Sequence, residues 1–253
     1  MGKFNASDAA DAAKKAEEAF SFLSGDDKAD GFEQINTGTM AIPFIRVLQK
    51  LSPQLDKRKP EYIAEAEEGM FFNTITHEVY GNEIEVVVGK FEQIFIEWRP
   101  DRGGFAGYHS PENAERLAAT RAFGQMKTAT GNILQENYVY MVLVAGHEKE
   151  GICVLSLAST ALKVAREWNR LMSTHVMPNG QRALPYYLVW KLVTEYQEND
   201  KGTWYRPRPM FSRYVQEQEY LAVKDERKAL PARQIDYRQL EGASEANDAE
   251  TPF

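Results

Sequence analysis

Apolar and polar positions organise most clearly over residues 84–98. Residues 84–88 form a β-branched apolar run, Gly89 interrupts it, and Ile94, Ile96 and Trp98 then alternate with Phe95 and Glu97. This pattern predicts one long bent strand or a tight pair, because glycine inside a strand marks a bulge or a bend. Two apolar runs, 138–145 and 151–157, flank GHEKEG and predict a hairpin. The period then changes. In SLASTALKVAREWNRLMSTH, Leu157, Ala161, Val164, Trp168, Leu171 and His175 recur at three and four residues, the stripe of a helix. Residues 186–196 read as a further strand and 204–214 as a last one, restricted to an edge by Pro207 and Pro209, which have no backbone donor. Upstream, Phe44, Val47, Leu48 and Leu51 are spaced as one face of a short helix that Pro53 ends. A glycine-rich loop, RPDRGGFAGYHSP, leads into a helix expected from Glu112 to Met126.

The order is long bent strand, strand, strand, helix, strand, strand. That order predicts a mainly β protein with helices (α+β), an elaborated OB-fold-like five-stranded barrel with helical insertions. Residues 1–30, with an N-cap candidate in Ser7 and a stop near Gly25, read as an arm or marginal helix. Residues 31–230 carry the barrel, and 231–253 read as a flexible acidic tail of low hydrophobicity.

Charge changes this picture only after it is divided along the chain. The 253 residues carry a net charge of −7, of which residues 1–30 supply −3 and residues 239–253 supply −4. The body is therefore neutral overall and free to gather cations on one face. The longest apolar run, 138–145, is far below the roughly 18 residues of a membrane span, and the N-terminus lacks the apolar centre of a secretory signal. A single cysteine, Cys153, sits in GICVLSL as a small core residue. A cytoplasmic protein with no membrane association is expected.

No phosphate-binding loop is present, and His77, His109, His147 and His175 lie far apart without cysteine pairs. Glu65, Glu67 and Glu68, with Glu83 and Glu85, are the one hint of a magnesium-dependent nuclease. The expectation is a protein without catalytic residues, metal or cofactor. The basic run Lys57, Arg58, Lys59 and the helical line Lys163, Arg166, Arg170 read as solvated faces.

KGTWYRPRPMFSRY is different. Lys201, Arg206, Arg208 and Arg213 alternate with Trp204, Tyr205, Phe211 and Tyr214, and no acidic residue interrupts them. Cations follow phosphates while flat rings stack on unpaired bases, the chemistry of single-strand binding. Strand alternation sends neighbours to opposite faces, so only some of these rings are expected to be exposed. A second candidate cluster, Trp98, Arg99, Arg102, Phe105 and Tyr108, surrounds the glycine-rich loop.

The chain ends NDAETPF, with Asp248 and Glu250 ahead of Pro252 and a terminal Phe253. A terminal ring can enter an apolar pocket on a partner, its carboxylate meeting an arginine and the acidic residues meeting lysines around the rim. This ending resembles the C-terminal tip of bacterial single-stranded DNA-binding proteins, although it is less densely acidic. In that family the tip recruits replication, repair and recombination enzymes. The body, through AIPFIRVLQKLSPQL, GGFAG and WYRPRP, is similar to a bacteriophage family that includes candidate single-stranded DNA-binding proteins. The resemblance implies a phage protein that coats single-stranded DNA during replication or recombination in the host cytoplasm. It implies partner recruitment through Asp248, Glu250, Pro252 and Phe253, with self-association left open. An acidic tail tethered near a cationic groove is also expected to occupy it until DNA displaces it. A strand-annealing mediator, a metal-dependent nuclease and a tip mimic that never touches DNA are the alternatives.

Overall fold

The computed structural model describes residues 40–240 apart from 101–102, 123–124, 201 and 233–234. The expected N-terminal arm, the acidic tip, Arg102 and Lys201 lie outside the described residues. In chain order the strands are β1 (Ile45–Val47), β2 (Phe71–Asn73), β3 (Val79–Gly81), β4 (Glu83–Trp98), β5 (Phe105–His109), β6 (Ala118–Ala122), β7 (Gln125–Thr128), β8 (Ile133–Val144), β9 (Ile152–Ala158), β10 (Leu188–Asn199) and β11 (Gly202–Tyr214). The helices are α1 (Pro111–Leu117), α2 (Leu162–Thr174) and α3 (Glu217–Ala229). The protein is mainly β with few helices, and no helix among the described residues is long and apolar enough to cross a membrane.

The alternating stretch is one bent strand, β4. It pairs antiparallel with β8 from Val86↔Val144 to Trp98↔Ile133, and the register slips between Val88 and Lys90. Gly89 sits at the slip. A Cβ there would stand 3.3 Å from both Ile152 Cδ1 and Val223 Cγ2, so the bulge also lets α3 close on the sheet. Ile84, Val86 and Val88 are buried on one face, with Val87, Ile94 and Ile96 buried on the other. Coverage of both faces explains why the run reads as apolar rather than as a clean alternation.

The first face packs on α2. Trp168 is fully buried, its ring 4.4 Å from Tyr140 and 6.1 Å from Trp190. The buried line on the helix is Val164, Ala165, Trp168 and Met172, so Met172 takes the place expected for Leu171, which is 42% exposed. The residue four after Trp168, one turn on, is the one that faces the core. The second face packs on α3 through Val223, and on a turn at Tyr237–Leu240 whose Tyr237 and Leu240 are buried. The tail expected from 231 therefore begins inside a packed segment.

Two expected helices are not formed. The segment holding Phe44, Val47 and Leu48 is extended, because pairing of Ile45–Val47 with Phe71–Asn73 in β1 and β2 holds it so; Leu51 is 69% exposed. The helix expected from Glu112 to Met126 stops at Leu117, buries only Ala114, and gives way to the β6–β7 hairpin, where Met126 pairs with Leu134 of β8. Ser110 caps this short helix, its hydroxyl accepting from the Asn113 N–H at 3.3 Å.

Ladders join β4 to β8, β8 to β9, β4 to β10 and β10 to β11, with α2 between β9 and β10. The expected closed five-stranded barrel is not present: no ladder among the described residues joins β9 to β11. The N-terminal segment spans that gap. On one side Pro43 C=O accepts from Val154 N–H at 2.8 Å, and Phe44 bridges Val154 in parallel. On the other, the Gln49 amide copies a strand neighbour, accepting from Tyr205 N–H and donating to Tyr205 C=O, both at 2.8 Å. Since Tyr205 presents its backbone away from β10, strand alternation turns Pro207 and Pro209 the same way. Both prolines thus sit where no ladder donor is lost, on the sheet edge expected for them.

Gln49→Ala removes two hydrogen bonds that hold the strand edge and should lower unfolding free energy by about 1–3 kcal/mol in urea titration. Gln49→Glu should lower it at least as much at neutral pH, because a carboxylate accepts from Tyr205 N–H but cannot donate to its carbonyl.

Candidate nucleic-acid interface

Strand alternation divides the β11 cluster in two. Trp204, Arg206, Arg208 and Met210 share one face, while Tyr205, Pro207, Pro209 and Phe211 share the other. On the first face Arg208 Nη1 lies 2.7 Å from Glu195, and Arg206 Nη2 lies 3.6 Å from the same carboxylate. The two guanidinium groups, Arg208 first, hold the Glu195 carboxyl below its usual range. One carboxylate pairs with both guanidiniums, and Glu167 adds a longer-range attraction on Arg208. Trp204 is half-buried beside them, and neither its indole N–H nor Arg206 Nε finds an acceptor among the described residues.

On the second face Tyr205 is a packing residue. Its ring stands edge-on to Tyr196 at 5.6 Å and lies over Gly69, where a Cβ would come within 2.7 Å of it. Phe211 is 41% exposed and groups with His175 at 4.5 Å and Tyr214 at 5.5 Å. His175, expected in the core, instead brings the end of α2 against β11, a tertiary contact that no local pattern announces.

Arg213 leaves the cluster. Its guanidinium reaches Glu85 Oε2 at 2.9 Å and Glu219 Oε1 at 2.7 Å, and Glu219 is 8% exposed. The Glu219 side chain also accepts from Gln216 N–H at 2.8 Å, closing a capping box at the start of α3. Arg213 is thus the bolt between β4, β11 and α3. Its pKa is raised by Glu219 and then Glu85, and the Glu219 carboxyl is held down chiefly by Arg213.

The second cluster is built on the end of β4. Trp98 donates its indole N–H to Gln135 Oε1 at 2.7 Å and meets Phe105 edge-on at 6.0 Å. Arg99 donates to Phe105 C=O at 2.8 Å, so its guanidinium braces the glycine-rich turn. Tyr108 is 54% exposed, with its ring 4.6 Å from Tyr237. Beneath them Glu97 accepts from His109 Nε2 at 2.7 Å and Asn132 Nδ2 at 2.6 Å. Burial pushes the Glu97 carboxyl up, and those two donors more than reverse it.

The sheet does not bring the two clusters together. Trp98 is the last residue of β4, whereas Trp204 pairs with Gln197, beyond the Val193 that faces Glu83 at the start of β4. The length of a bent strand separates them.

The acidic pair is engaged elsewhere, Glu83 with Lys191 at 2.8 Å and Glu85 with Arg213. Among the described residues no three His, Cys, Asp or Glu side chains converge as metal ligands. Cys153 is buried, its thiol pushed up to about 12 by burial and then by Glu150 and Glu226.

A family model described as Pam3 phage gp34-like protein matches residues 13–235. The chain belongs to that family. No curated protein and no solved structure matches it. The stretch shared with this phage family takes in both clusters and stops short of Asp248, Glu250, Pro252 and Phe253.

Arg213→Ala leaves two carboxylates facing each other without their cation and should cost roughly 2–3 kcal/mol at pH 7. The Glu219 pKa is depressed in the fold, so its contribution is complete above the ordinary glutamate value near 4.3 and fades as pH falls through the folded value. The stability gap between wild type and Arg213→Ala, read by thermal melts, should therefore be constant from pH 7 to about 5 and shrink below about 4.

Proposed function

We propose that this phage protein binds single-stranded DNA without catalysing a reaction, on an open variant of the OB architecture. The single observation that carries the reading is the β11 face, where Trp204, Arg206 and Arg208 stand in a row with one carboxylate between two guanidiniums. A ring flanked by under-neutralised cations suits a strand whose bases are unstacked and whose phosphates run alongside.

The pairing order supports it. OB-folds bind oligonucleotides with the face of their second and third strands and with the loops after the first and fourth. In this chain the corresponding connections are β4 to β8, which carries the Trp98–Phe105 cluster, and the β10–β11 turn, which carries the Trp204 cluster. The corresponding strand face, on β8 and β9, is already covered by α3 and Tyr237–Leu240. On this reading the DNA is held at the connections and edges, with Arg99, Phe105 and Tyr108 contributing at the far end. Protection of strands in phage replication or recombination, and recruitment of host enzymes through Asp248, Glu250, Pro252 and Phe253, complete the proposal.

Fluorescence anisotropy with a labelled poly-pyrimidine oligonucleotide tests it. Binding should weaken with salt, at a slope of about −0.7 per phosphate contacted. Trp204→Ala should cost roughly 5- to 150-fold in affinity, the range of about 1–3 kcal/mol for a stacked base. Deleting Phe253 should leave affinity unchanged while abolishing capture of a partner. No binding at low salt would sink the proposal.

A further inference from the structure

Away from both clusters, the first face of the sheet has an uncovered strip. Helix α2 covers Tyr140 through Trp168, and α1 covers Leu134 and Phe95 through Ala114. Leu134 and Tyr140 lie on the same face of β8, about 20 Å apart at ~3.3 Å per residue. Between the helices the register sets Phe91 against Tyr140, Gln93 against Tyr138 and Phe95 against Glu136. Phe91 is 38% exposed although it lies in the middle of a central strand, and it meets Tyr138 edge-on at 5.2 Å. Phe91 also packs on the buried Tyr140 at 5.2 Å, yet more than a third of it stays open to solvent.

The wall of the strip is cationic. Arg166 of α2 extends over Tyr138, 5.9 Å from its centroid, and reaches Glu136 at 2.8 Å. Lys163 precedes and Arg170 follows it at helical spacing on the outer side of α2, with Glu167 beside them, both cations exposed and without an ion pair among the described residues. Gln93 donates to the second oxygen of Glu136 at 2.8 Å, leaving its own amide oxygen to accept. One open ring, Phe91, and the half-buried Tyr138 beside a line of cations match the chemistry of unpaired nucleotides, a base on the floor and phosphates along the wall.

We propose that the strip between α1 and α2 is a second single-stranded DNA site, in which a base stacks on Phe91 while Lys163, Arg166 and Arg170 hold the backbone. The inference rests on the single-strand-binding reading above and adds a path on the sheet face opposite α3. Strand alternation places Phe91 on the α2 side of the sheet and the Trp204–Arg208 row on the α3 side, so a strand that used both would pass round the protein.

Titration of the full chain with a poly-pyrimidine oligonucleotide tests it. Phe91→Ala should weaken binding about tenfold and Phe91→Tyr should restore it. Lys163→Gln with Arg170→Gln should flatten the salt slope by about 0.7 for each phosphate that is no longer neutralised. Phe91→Trp supplies an independent readout: its added fluorescence should be quenched by the oligonucleotide, in a protein whose circular dichroism is unchanged. Native-like Phe91→Ala and Lys163→Gln/Arg170→Gln variants that bind as wild type does, with no added quenching in Phe91→Trp, would overturn the strip while leaving the DNA-binding reading in place, provided Trp204→Ala still weakens binding. A wild-type protein that binds no single strand would overturn both.

Discussion

The structure depends on β4 being buried on both faces over residues 84–88 and again over 94–96. A strand covered on one side can slide by a residue only by turning its apolar set to water, and one covered on both sides pins two layers at once. Val86 and Val88 hold α2 and the aromatic stack of Trp168, Tyr140 and Trp190 on one side, while Val87, Ile94 and Ile96 hold α3 and Tyr237 on the other. Gly89 makes the two halves compatible. The bulge rotates the second half of the strand, and the missing Cβ admits Ile152 and Val223 to the same spot. Every other strand of the main sheet takes its position from the β4–β8 ladder, directly or through one neighbour.

That constraint also decides where chemistry can be placed. With the interior faces filled, exposed rings among the described residues stand at the end of β4, on the β10–β11 ribbon and in the strip between α1 and α2. The β11 edge would ordinarily invite another strand, and three features blunt it: Pro207, Pro209 and the side chain of Gln49 bonded to Tyr205. The edge is thereby left to side chains rather than to backbone pairing, which keeps Trp204, Arg206 and Arg208 presented in a row.

The sequence makes some of this legible and hides the rest for identifiable reasons. The bent strand, the 138–157 hairpin, α2 and the edge position of the prolines all rest on local periodicity or on a missing donor, and those signals lie within a few residues. β1 escapes them because Phe44, Val47 and Leu48 fit a helical spacing, and only the pairing with Phe71–Asn73 shows that they are extended. α3 carries no signal, since EQEYLAVKDERKA presents mostly charged residues and buries little beyond Val223 and Glu219. The tail boundary fails similarly: Tyr237 and Leu240 are isolated apolar residues in a polar stretch, and their value comes from the uncovered sheet they meet. At the site, the ring-and-cation row on β11 is visible as composition, but the carboxylates that each cation meets are not.

The division of cations is where tertiary structure adds most. The basic side chains of the two candidate surfaces face different numbers of carboxylates. Arg213 meets two, Arg206 and Arg208 share one, and Lys163 and Arg170 meet none among the described residues. A phosphate must compete with whatever anion a cation already holds, and the competition is hardest where that anion is buried and well oriented. Arg213 therefore serves the fold, since taking its charge for a ligand would strand Glu219 in the interior. The shared Glu195 is partly exposed and can be released to water when a phosphate arrives, so the pair beside Trp204 can exchange partners at low cost. The same rule ranks the α2 line, where Arg166 would exchange Glu136 and its two neighbours would exchange only water.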